Sequence, residues 1–110
     1  MTKAVPSEIE TDVLVIGGGI AGIFAAITAQ QKGLEVTLVD KGSPGNSGAT
    51  PFADTFVVFD EERGHKRQDW IDTVAFNGEY LNTRAFLDLL MDQSKARFQD
   101  LQDWGVLGEV

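Results

Sequence analysis

The chain has 110 residues, 43% hydrophobic and 24% charged, which is ordinary for one soluble globular domain. Its formal charge of −8 speaks against nucleic acid as a partner, because phosphate backbones call for clusters of Lys and Arg. The absence of cysteine excludes a disulfide framework, a thiolate zinc site, an iron–sulfur cluster held by this chain and a redox-active disulfide, and it fits a reducing compartment such as the cytoplasm.

Met1 to Asp12 carries Glu8, Glu10 and Asp12 and has no basic stretch followed by an apolar one, so it does not read as a secretory signal. From Val13 to Gln31 no side chain is charged. That run is almost long enough to span a membrane, but Gly17, Gly18, Gly19 and Gly22 break its first half, and it reads as two soluble elements. Asp12 to Ile16 is a continuous β-branched run, the pattern of a strand buried on both faces of a parallel sheet. Ile20, Ile23, Phe24 and Ile27 then recur at helical spacing, with Ala21, Ala25, Ala26 and Ala29 offering small contact surfaces. Lys32 and Gly33 supply a cation and a left-handed cap for the helix end. Glu35 to Val39 is a second strand ending at Asp40, which completes a right-handed βαβ unit.

Gly42 to Pro51 is a loop, Thr55 to Phe59 a short strand and Asp60 to Gly64 a turn. Gln68 to Phe76 is predicted to be a helix with Trp70, Ile71 and Val74 inward and Gly78 near its end. A longer helix starts from an Asn82 or Thr83 cap, runs through Leu87, Leu90, Met91, Phe98 and Leu101, and closes at Gly105.

Gly17-x-Gly19-x-x-Gly22 lies between the first strand and the first helix. Gly17 permits the tight turn, Gly19 lets backbone approach a pyrophosphate, and Gly22 lets helix and strand pack closely. The helix N-terminus, at Ile20 and Ala21, then aims its free N–H groups and dipole at the phosphates. Asp40, at the end of the second strand, can accept hydrogen bonds from ribose hydroxyls. A glycine pattern alone is weak evidence; here strand, helix, cap, second strand and acid all stand in the right order. The unit is read as a site for the ADP half of a dinucleotide.

Asp12 to Gly22 followed by Gly33 to Lys41 resembles the N-terminus of FAD-dependent oxidoreductases. Lys41-Gly-Ser-Pro-Gly-Asn-Ser-Gly-Ala-Thr50 more narrowly resembles the flavoprotein subunits of succinate dehydrogenase and fumarate reductase, a group that includes L-aspartate oxidase and adenylylsulfate reductase. The likeness continues weakly through Trp70 to Val74 and ends at Leu101 to Val106; only the first 50 residues are specific. It implies an α/β fold, a Rossmann-type βαβ FAD-binding unit followed by a short strand and two helices, as an incomplete N-terminal fragment of a larger fold. Residues 8–60 would carry the βαβ core and flavin loop and 61–110 a helical extension. FAD would be the cofactor, with Gly17, Gly19, Ile20, Ala21 and Gly22 at its pyrophosphate, Asp40 at the adenosine ribose and Lys41 beside the adenosine. Ser47, Gly48, Ala49 and Thr50 would line the path to the isoalloxazine.

Two departures from the family pattern matter. Gly48 stands where some members carry a histidine that attaches FAD covalently, so noncovalent FAD is expected. Pro51-Phe-Ala-Asp-Thr55 replaces the family's Ala-Gln-Gly-Gly, which puts the geometry at the flavin edge and the substrate in question. The resemblance implies hydride transfer with a small-molecule substrate, a dicarboxylate, in a longer protein that lies in the cytoplasm or meets a membrane through other subunits. No residue of this chain is assigned a catalytic role. A two-strand piece would expose strand edges and apolar helix faces, for other subunits or a second copy to cover. Two alternatives stay open: a nicotinamide-binding dehydrogenase domain, and a non-catalytic fragment serving assembly.

His65, the only histidine, is read as a solvated turn residue rather than a base. Asp60, Glu61 and Glu62 are read as solvated, since adjacent carboxylates on a turn do not converge on a cation. Trp70 and Trp104 fall on apolar helix faces and are expected in the core.

Overall fold

A computed structural model describes residues 8–46 and 48–106. The chain divides into two compact units, one running to Asp54 and the other starting at Thr55. Among the described residues, no helix is long and apolar enough to cross a membrane.

In the first unit, β1 (Val13–Ile16) leads through α1 (Ile20–Gln31) to β2 (Val36–Val39). The strands pair in parallel, Val13 opposite Val36 and Ile16 opposite Val39, and α1 is the crossover that a parallel pair requires. The helix packs on both strands. Gly33 has φ +83° and its N–H donates to the Gln30 carbonyl at 2.9 Å, which is the left-handed cap expected at that glycine.

The burial expected of β1 on both faces is not found. Leu14 is 55% exposed and Ile16 81% exposed. One helix covers one face of a two-strand sheet, and among the described residues of this unit no second element lies on the other.

In the second unit, a 3₁₀ turn at Glu61–Arg63 precedes α2 (Arg67–Asn77) and α3 (Arg84–Asp103). Phe59, Ile71, Leu87 and Met91 form its buried core, with Trp70, Val74, Ala75 and Leu90 packed against them. Leu101 is buried as well, and Phe98 is half-buried, so the apolar face predicted for α3 is the one that packs. Thr83 is the N-cap of α3 and Gly105, at φ +73°, follows its end. At the end of α2, Gly78 serves by leaving space: a Cβ there would collide with the side chain of Asn82.

The strand expected over Thr55 to Phe59 does not form. A strand needs a neighbour for its N–H and C=O groups, and the described residues of this unit offer only helices. A side chain takes part of that role: the Phe59 N–H donates to the hydroxyl of Ser94, buried on α3, at 2.9 Å.

Charge pairs tie the unit together at its surface. Arg67 reaches Asp92 at 2.7 Å and Asp88 at 3.2 Å, joining the start of α2 to α3. Those hydrogen bonds, to Asp92 first and then Asp88, raise the Arg67 pKa. Arg84, and after it Arg67, hold the Asp88 carboxyl below its ordinary range.

The Ser94 contact gives a direct test. Ser94→Ala removes the acceptor of a buried N–H and is expected to cost about 1–3 kcal/mol in denaturant unfolding. Gln93→Ala, at the exposed neighbouring position, should stay within about 0.5 kcal/mol.

Candidate cofactor site

The first unit gathers its loops at one place, the ends of β1 and β2 and the start of α1. Gly17 turns the chain out of β1 with φ +110°, a conformation that side chains disfavour, and its N–H donates to the Val39 carbonyl at 2.7 Å. Gly19 is the N-cap of α1, and no side chain on it obstructs the helix end. At Gly22 a Cβ would run into the carbonyl oxygen of Gly17 and crowd Val15 Cγ1 at 3.4 Å, so the residue must be glycine for α1 to lie this close to β1. α1 carries no acidic residue in its first turn, which leaves the positive end of its dipole uncompensated by a carboxylate of that turn.

Asp40 is half-buried at the end of β2 and is bonded to backbone. Its Oδ2 accepts the Gly18 N–H at 2.5 Å and its Oδ1 accepts the Gly42 N–H at 2.7 Å. One carboxylate therefore braces the glycine turn and starts the next loop. A carboxylate oxygen can accept more than one hydrogen bond, so a ribose hydroxyl is compatible with this arrangement.

Gly18 is the residue that the motif overlooks. It is buried, its carbonyl accepts the Gly45 N–H at 2.8 Å, and a Cβ on it would lie 2.8 Å from Pro44 Cα. The signal is present in the sequence: three consecutive glycines stand where the pattern asks only for the first and third.

A cleft of about 410 Å³ opens beside these groups, lined by Ile16, Gly17, Gly19, Val39, Asp40, Lys41, Gly48 and Ala49. That is within the size range of small-ligand sites. Of the positions expected to bind a cofactor, Gly17, Gly19, Asp40, Lys41, Gly48 and Ala49 line it. Ile20 and Ala21 are exposed on the first turn of α1 and Gly22 lies beneath that turn against Gly17. Ser47 lies outside the described residues. Thr50 opens a 3₁₀ turn at Thr50–Phe52, and its hydroxyl accepts the Ile20 N–H at 3.0 Å.

The residues weighed in the second unit form no reactive cluster. His65 is packed rather than solvated: its ring centroid is 4.5 Å from that of Trp70, and its Nδ1 accepts the Asp60 N–H at 3.1 Å. Asp60 is likewise not solvated, its side chain being 11% exposed. It caps the 3₁₀ turn through the Glu62 N–H and pairs with Lys95 at 2.9 Å, whose hydrogen bond lowers its pKa. Trp70 packs on the core as expected, whereas Trp104 is 37% exposed because it sits past the last turn of α3.

The brace made by Asp40 predicts an effect without any ligand. Asp40→Ala should lower the stability of the cofactor-free protein by about 1–3 kcal/mol, read from urea unfolding. A carboxylate that served ribose alone would leave that stability unchanged.

Comparison with known proteins gives this geometry a family. The FAD binding domain family matches residues 12–110. A fumarate reductase (CoM/CoB) subunit of Methanothermobacter marburgensis is 33% identical over 103 residues, which cover 89% of this chain and 18% of that protein. A probable fumarate reductase of Shewanella frigidimarina is 33% identical over 106 residues, 91% of this chain and 18% of its own. Dihydrolipoyl dehydrogenase 3 of Haloarcula marismortui is 56% identical over 45 residues, 37% of this chain and 9% of that protein. The chain thus spans 18% of the length of each of these two fumarate reductase relatives. No solved structure matches it. With its glycine turn, parallel strand pair and crossover helix, the chain belongs to the FAD binding domain family, among the FAD-dependent flavoproteins of the fumarate reductase and succinate dehydrogenase class, and its cofactor is FAD.

Proposed function

We propose that the chain supplies the adenine-nucleotide end of a Rossmann-type FAD-binding domain in a flavin-dependent oxidoreductase. The observation that carries this reading is the cleft over the glycine turn, in a chain that matches the FAD binding domain family over residues 12–110. In that cleft, Gly17 and Gly19 would bring bare backbone to the pyrophosphate, and the N-terminus of α1 would meet its charge. Asp40 would take a ribose hydroxyl while keeping its hold on Gly18. Lys41 would lie beside the adenosine, and Gly48 and Ala49 would lead toward the isoalloxazine.

When bound, FAD supplies the hydride chemistry of the whole protein; this chain's part is to hold and orient it. The substrate we propose is a small dicarboxylate, a reading supported by two relatives that are named fumarate reductases. FAD would be held noncovalently, since Gly48 offers no nucleophile and the chain's single histidine, His65, lies in the turn before α2.

The visible absorption spectrum of the purified protein, followed by acid release of the chromophore, tests this. A flavin spectrum with FAD recovered in the acid supernatant is the expected result. Flavin that stays with the precipitated protein would overturn noncovalent binding. A colourless protein that takes up NAD and not FAD would overturn the reading itself.

A further inference from the structure

We infer that Thr50 positions the pyrophosphate of the cofactor at the start of α1, by passing the Ile20 N–H on as a hydroxyl donor. The inference rests on the FAD reading above and assigns Thr50 to the phosphate end of the site instead of the path to the isoalloxazine.

Three observations place the hydroxyl. The Ile20 N–H donates to Thr50 Oγ1 at 3.0 Å, so a side chain 30 residues along the sequence meets the first residue of the helix. A Cβ built on Gly19 would lie 3.2 Å from the same oxygen, so the hydroxyl sits over the N-cap glycine, and that glycine leaves it room. Thr50 is half-buried and is followed by Pro51 inside a 3₁₀ turn, with the Ala53 N–H donating to the Thr50 carbonyl at 3.1 Å. Proline's fixed φ and that bond hold the Thr50 backbone in place.

The chemistry follows from what a hydroxyl can do. It accepts the Ile20 N–H through a lone pair and keeps its O–H to donate. Accepting a bond from an N–H at the positive end of a helix makes the O–H a better donor. The group that suits such a donor is an anionic oxygen; the neighbouring cleft is lined by Gly17, Gly19, Lys41 and Asp40, and the two Asp40 oxygens already accept the Gly18 and Gly42 N–H groups. Gly48 and Ala49, the two residues before Thr50, also line the cleft, so the segment that carries the hydroxyl borders the space a dinucleotide would enter.

The test compares ligands with and without phosphate. ADP and adenosine are titrated into the protein and into Thr50→Val and Thr50→Ser, with the Ile23 amide resonance, whose N–H donates to the Gly19 carbonyl at 3.0 Å, reporting that α1 begins as before. Valine keeps the shape of threonine and loses the hydroxyl; serine keeps the hydroxyl. Thr50→Val should weaken ADP by about 10- to 100-fold, the scale of one hydrogen bond to a charged group, and leave adenosine nearly unchanged. Thr50→Ser should retain ADP affinity. Equal losses for ADP and adenosine in Thr50→Val would overturn the inference, reducing Thr50 to a helix cap. Unchanged ADP binding in Thr50→Val would overturn it while the FAD reading stands. If the unsubstituted protein binds neither ADP nor FAD, both fall together.

Discussion

The carbonyl oxygen of Gly17 fills the space in which any side chain at residue 22 would begin, and the architecture of the first unit depends on that contact. It is what lets α1 lie against the end of β1. With the helix that close, its N-terminus opens beside the ends of both strands, where Asp40 leaves β2 and the loop to Thr50 returns. A bulkier residue at 22 would push the helix outward, and the groups around the cleft would lose their common centre. The cleft is thus a consequence of one steric allowance made early in the chain.

Asp40 adds a second layer to that arrangement. Its two oxygens accept backbone N–H groups on either side, from Gly18 and from Gly42, so the acid shapes the glycine turn as well as lining the cleft. Gly18, Pro44 and Gly45 complete the same corner, with Gly18 bonded on one side to Asp40 and on the other to Gly45. The turn is held by hydrogen bonds to a carboxylate, which are stronger than those to neutral acceptors.

Much of this is legible in the sequence, for physical reasons. The β-branched run at Val13 to Ile16, the alanine-rich helix and Gly33 each carry a local preference that agrees with the fold, and such agreement makes elements readable. What fails to show is non-local. Thr55 to Phe59 has the composition of a strand, but composition cannot say whether a partner strand is present, and here Ser94 supplies a hydrogen bond from 35 residues away. His65 and Asp60 sit in a polar stretch that reads as solvated, yet α2 and α3 bring Trp70 and Lys95 against them. The sequence places Thr50 only by its position in a loop, whereas its bond to Ile20 depends on how that loop returns to the helix. The open face of β1 belongs with these, since the buried look of Leu14 and Ile16 speaks of a covering that the described part of this two-strand unit does not contain.

The central claim is that FAD is held at the glycine turn of the first unit. Amide hydrogen exchange of the protein with and without FAD tests it most directly. Binding there should slow exchange in residues 17–22, in the segment from Asp40 to Gly42 and in Gly48 to Thr50, with α2 and α3 little changed. Slowed exchange confined to α2 and α3, or none in the glycine turn while FAD is bound, would contradict it.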